Sequence, residues 1–124
     1  MDQLPTPTPA ELDILKVLWD RGPSSVRDVH QHLPRSGLAY NTVQTLLRLM
    51  EEKKGLVAHH VQRRTFIYTP CFSREESAAR FLDRVFDGAA SQLVLSLLRA
   101  ERISPKELDQ MHAMIAEARR KRQE

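Results

Sequence analysis

The sequence has a single cysteine, Cys71, which excludes an intrachain disulfide framework and suits a reducing compartment. Its four glycines, Gly22, Gly37, Gly55 and Gly88, are isolated, so no glycine-rich loop is present to cradle a phosphate. Aromatic residues are scarce, at 6%. The longest stretch without Asp, Glu, Lys or Arg is Ser36–Leu47, 12 residues, against the ~18–20 that a spanning helix needs. Metal-ligand spacing is missing as well. His30 and His32 diverge on a helix, and His59 and His60 in a strand point to opposite faces. No Cys-x-x-Cys, no His-x-x-x-His and no nucleophile elbow is present. The expectation is therefore a non-enzyme without metal or cofactor, with Cys71 packed rather than reactive. Met1-Asp2-Gln3-Leu4-Pro5 offers neither a basic start nor an apolar run, so the expected chain is cytoplasmic, without a secretory signal and without direct membrane binding.

What is present is helix-forming and unevenly charged. A chain of 124 residues with 41% hydrophobic side chains is long enough for one small domain with an appended piece. Net charge is +3, but residues 21–64 hold eight basic side chains against three acidic ones. Residues 73–124 hold ten against nine. A basic middle beside a near-neutral tail points to a polyanion partner for the middle alone.

Periodicity divides the chain into three helices, a hairpin and three more helices. Prolines make residues 1–8 an extended arm. Thr8-Pro9-Ala10-Glu11 is a capping box that opens a helix over Pro9–Asp20, with Leu12, Leu15, Leu18 and Trp19 at helical spacing. A second helix spans Ser25–Leu33 and buries Val26, Val29 and Leu33, with Pro34 as its stop. The third spans Tyr40–Lys53, with Gly55 as its C-cap. Leu56–Val61 and Thr65–Thr69 read as strands around a tip of Gln62-Arg63-Arg64. Helices then follow from Ser73 to Asp87, from Ser91 to Ala100 and from Ser104 onward. The last carries Leu108, Met111, Ile115 and Ala118 as its stripe and ends in Arg119-Arg120-Lys121-Arg122. This order predicts a mainly α fold, a winged helix-turn-helix over residues 1–72 with a helical dimerisation extension over 73–124.

The third helix carries the chemistry. Val43, Leu46, Leu47 and Met50 share one face, and Asn41, Gln44, Thr45 and Arg48 share the opposite one. Asn and Gln pair bidentately with adenine, Arg with guanine, and a Thr methyl meets thymine. A solvated face usually favours Glu and Lys, whereas Ser36–Leu47 has no charge at all. Arg63 and Arg64, with His59 and His60 behind them, sit where a wing reaches phosphates. In the second half, Phe81, Leu82, Val85, Leu93, Val94, Leu97, Leu98, Met111 and Ile115 exceed what short helices hide alone, so they are the expected two-fold dimer surface. The competing reading is a winged helix that binds protein rather than DNA, since fold does not establish function.

The segments Pro9–Leu15 with Leu18-Trp19, Val26–Val29, Tyr40–Leu47, Lys54–Val57 and Tyr68–Glu76 resemble the penicillinase-repressor family of bacterial winged-helix regulators (BlaI/MecI, with a copper-responsive CopY branch). The resemblance implies a homodimeric repressor on a palindromic double-stranded DNA operator. Carried over by position, Thr42, Gln44 and Thr45 face the groove, with Arg48 beyond them and Arg63-Arg64 in the wing. With Tyr40 and Asn41 at the helix start, these make up the expected DNA-binding set. The resemblance further implies a membrane sensor and protease pathway that cuts the dimerisation region, at a position matching Ser96-Leu97. The cysteine-rich tail of the copper branch is missing. Three positions depart from the family pattern: Lys53-Lys54 adds a residue before Gly55, Arg63-Arg64 stands where a Gly-Arg tip is common, and Ser96-Leu97 stands where the sensor-cleaved members have an Asn-Phe bond.

Overall fold

The computed structural model describes residues 5–33 and 37–123. The first four residues of the expected arm and the helix stop at Pro34 lie outside them. The chain divides into two compact units, Met1–Ser77 and Ala78–Glu124.

The first unit begins with α1, Pro9–Arg21, opened by the expected capping box between Thr8 and Glu11. Its buried stripe is Ile14, Leu15, Val17 and Leu18. The expected Leu12 and Trp19 flank that stripe, half-buried, rather than forming it. β1, Ser24–Ser25, is a two-residue strand that the sequence does not predict, and its second residue falls within the span read as the second helix. Ser25 is instead the N-cap of α2, Val26–His32, and makes a reciprocal capping box with Asp28. α3 is Tyr40–Glu52. It stops before Gly55, because Lys53 takes the C-cap position. Gly55 (φ +64°) then turns the chain so that the Leu56 N–H donates to the Met50 carbonyl, 2.9 Å away. That wide turn takes up both lysines.

β2, Val57–Gln62, and β3, Thr65–Pro70, pair antiparallel with Gln62 opposite Thr65. Gln62 therefore belongs to the strand, and the tip is only Arg63-Arg64. β1 pairs with the far side of β3, giving a three-stranded sheet in the order β1-β3-β2. Among the described residues, every buried hydrophobic side chain lies between Ile14 and Phe72, contributed by α1, α2, α3, the sheet and the segment after it. Cys71 is exposed, not packed, while the next residue, Phe72, enters the core. Strand-like alternation explains the difference.

Trp19 fastens the end of α1 to this segment. Its Nε1–H donates to the Phe72 carbonyl at 2.9 Å, and its ring meets Phe72 edge-on at 5.9 Å. Arg74 lies over the indole at 5.4 Å and pairs with Asp20 at 2.9 Å.

α4, Arg74–Phe86, runs across the division between the units. α5 is Ala90–Arg99, and α6 is Pro105–Arg122, opened by a capping box between Ser104 and Glu107. These three helices hold no buried residue among those described. Within the second unit, Leu82, Leu93 and Met111 are half-buried, whereas Val94, Leu97, Leu98, Leu108, Met114 and Ile115 are exposed. Phe81 and Val85 are exposed too. No described helix is long and apolar enough to cross a membrane.

Candidate nucleic-acid interface

α3 is anchored by Val43, Leu47 and Met50, all fully buried, with Leu46 packed against them. That burial fixes the rotation of the helix and leaves Tyr40, Asn41, Thr42, Gln44, Thr45 and Arg48 exposed. α1, α2 and α6 each start with an acid in a capping box. Among the described residues, α3 starts at Ala39 with no side-chain cap, and its first turn holds no acid. Its leading N–H groups and the positive end of its dipole therefore face outward, an arrangement that favours an anion. The turn before it is held from α2, where His30 Nε2 lies 3.0 Å from the Leu38 carbonyl and the ring packs edge-on against Tyr40.

A cleft of about 650 Å³ lies beside this face, lined from α2 by Val26 and Arg27, from α3 by Tyr40, Gln44 and Arg48, and from the wing by Arg64, Thr65 and Phe66. It brings Tyr40, Gln44, Arg48 and Arg64 together. Asn41, Thr42 and Thr45 share the exposed face of α3 outside the cleft lining, and Arg63 occupies the hairpin tip. Arg48 pairs with Glu52 one turn on, at 3.3 Å, with both side chains about half exposed. Such a pair is weakly held and exchanges readily for a phosphate or base partner.

The wing tip is conformationally unusual. Arg63 (φ +52°) and Arg64 (φ +67°) both occupy the left-handed region. Two such residues closing a two-residue hairpin are the signature of a type I′ turn, which normally takes Asn-Gly. The tip therefore carries backbone strain at the two positions where the sequence reading places phosphate contacts.

The sequence reading missed Arg27 and Phe66 in the cleft. Arg27 entered only in the charge balance and within the Val26–Val29 segment, and Phe66 only as a strand former. Neither sits near α3 in the chain, so only the α2 and β3 packing places them there. Glu51 and Glu52 also enter the lining. Burial first, then these two carboxylates, push the Tyr68 hydroxyl above its ordinary range. Cys71 is exposed as a residue, but partial desolvation of its sulfur, and then Glu51, raise its thiol, which keeps it protonated and a poor nucleophile. Among the described residues, no group of three His, Cys, Asp or Glu side chains gathers to hold a metal ion. Ser96 and Leu97 lie inside α5 and are exposed, their carbonyls accepting from the N–H groups of Ala100 (3.0 Å) and Arg102 (3.1 Å).

The sequence profile of a family described as penicillinase repressor matches residues 7–117. The chain is 30% identical to the penicillinase repressor of Bacillus licheniformis, with all of both chains covered. It is 19% identical to that of Staphylococcus aureus, over 90% of this chain and 92% of the other. The solution structure of the DNA binding domain of the repressor BlaI is 33% identical, covers 61% of this chain and 93% of its own, and superposes with a TM-score of 0.49.

Proposed function

The chain belongs to the penicillinase repressor family, and from that premise we propose that it is a homodimeric transcriptional repressor that reads a palindromic DNA operator. Residues 1–72 read the DNA and residues 73–124 hold the dimer. The observation that carries this reading is the exposed, acid-free start of α3 beside Arg27, Arg48 and Arg64. An uncapped helix N-terminus receives a phosphate, Gln44 and Thr45 reach base edges in the major groove, and Arg63 and Arg64 meet the backbone beside it.

A dimer is supported by the second unit, whose helices expose their apolar faces. Met114 is 66% exposed and Ile115 58%, on a helix with no buried residue. Pairing across a two-fold axis covers such faces and sets two recognition helices one DNA turn apart, about 34–36 Å. Derepression follows a cut in the dimerising half, as the resemblance to sensor-coupled repressors implies. The Ser96–Leu97 bond lies within the hydrogen-bonded ladder of α5, so a protease reaches it only after that helix opens locally.

The test is a mobility shift of the full chain on duplex DNA from upstream of its own gene and on unrelated duplex, at two salt concentrations. The operator reading expects tighter binding to the upstream DNA and a steep loss with salt. Equal binding to both duplexes refutes sequence reading, and no binding to either supports the protein-interaction alternative.

A further inference from the structure

Resting on the operator reading above, we propose that Glu51 is a positioning residue that holds the wing against the recognition helix through His59. The wing needs such a hold. From Ala58 to Phe66 every residue is exposed, Val61 by 60% and Phe66 by 48%. A two-stranded hairpin is marginal by itself, and β1 pairs with β3 only at Ile67 and Tyr68, short of the tip. Hydrogen bonds within the hairpin fix its shape but not its angle to α3.

Glu51 supplies that angle. One carboxylate oxygen accepts from the His59 backbone N–H at 3.3 Å, and the other lies 2.6 Å from His59 Nδ1. A carboxylate only accepts, so Nδ1 carries the proton. The imidazole, gripped on one edge, stacks on Phe66 at 4.0 Å between centroids and 11° between planes. It also meets Tyr68, a core residue, at 5.8 Å. The carboxylate on α3 thus holds the first strand of the wing, and the imidazole holds the second, two residues after Arg64. Through this chain the two arginines keep a fixed place relative to Gln44.

Electrostatics alone predicts the opposite outcome from positioning. Glu51 puts a negative charge on a face that meets phosphates, so Glu51→Gln should tighten DNA binding if charge were its whole effect. The positioning role expects this variant to bind operator about threefold to tenfold more weakly, the range of one ordinary hydrogen bond, since an amide keeps one acceptor oxygen and gives up the second acceptor and the charge. His59→Phe, which keeps the stack but not the ring's bond to Glu51, should weaken binding in the same direction.

The deciding measurement is a double-mutant cycle on the full chain, read together with amide exchange of residues 61–66 without DNA. Removing both guanidiniums, Arg63→Ala with Arg64→Ala, is expected to cost about 30-fold in the parent and less than about threefold in Glu51→Gln. The wing amides should exchange at least about tenfold faster in Glu51→Gln while those of α1 and α3 do not change. An undiminished arginine effect in Glu51→Gln, or unchanged wing exchange, overturns the proposal. A parent chain that binds no DNA overturns the operator reading instead, and the exchange comparison still decides whether Glu51 holds the hairpin.

Discussion

Replacing Arg63-Arg64 by Asn-Gly should make the protein more stable and a weaker DNA binder. Both arginines hold φ near +60°, a region that costs an ordinary residue about 1–2 kcal/mol. Asn tolerates that region and Gly has no Cβ to clash there, although Gly loses about 0.5–1 kcal/mol more chain entropy on folding. The net gain is about 1–2 kcal/mol. For a unit the size of Met1–Ser77, that raises the melting temperature by roughly 5–10 °C. Two lost phosphate contacts flatten the plot of log affinity against log salt by about 1.8 units. At 0.15 M salt this amounts to about 30-fold in affinity. Calorimetry and fluorescence anisotropy on labelled duplex, over a salt series, measure the two effects on one sample. A variant that melts no higher refutes the strained type I′ turn. An unchanged salt slope removes the wing from the phosphate backbone.

Gln44→Ala should weaken operator binding by about 1–3 kcal/mol with little change on unrelated DNA, and equal loss on both would exclude base reading by this side chain. Leu98→Glu with Ile115→Glu should shift the chain to monomer in sedimentation while the first unit keeps its melting transition; a dimer that survives both charges would place the interface elsewhere. Glu11, 4% exposed, predicts acid sensitivity. Burial works to raise its pKa, but hydrogen bonds and charge from Lys54 (2.8 Å) and bonds from Thr8 outweigh it, so the folded value is lowered. Its contribution is fully present above the unfolded value, about 4.3, and is lost as pH falls through the lower folded one. Glu11→Gln should therefore destabilise the protein at pH 7 and flatten the stability profile below about pH 4.3; a parallel profile in urea titrations would refute the linkage.

Most of the fold was legible because its signals are local. Thr8 with Glu11, Ser104 with Glu107 and the apolar spacing of Val43, Leu47 and Met50 each lie within two helical turns, and each marks an element that the structure contains. Misreadings came where a long-range partner decides. Ser24-Ser25 is a strand only because Ile67 and Tyr68 lie alongside it. Gln62 joins the ladder because Arg63 and Arg64 accept a backbone that neither favours. Lys53 ended α3 ahead of Gly55 because Leu56 had to reach the core. In the candidate interface, the exposed residues of α3 were readable from one helical face. Arg27 and Phe66, which approach from α2 and β3, were not, and neither was the grip of Glu51 on His59.

The seating of Trp19 has an optical consequence. It is the only tryptophan in the chain, so the protein's red-edge ultraviolet emission comes from one indole. That indole donates to Phe72, is edged by its ring and is covered by Arg74. All three contacts come from the stretch where the last strand hands over to α4. Drawing Arg74 and Phe72 away would wet the ring and move its emission to longer wavelength, with no label attached. The molecule thus carries an intrinsic gauge of strain at the handover, readable in a stopped-flow cell as operator is mixed in.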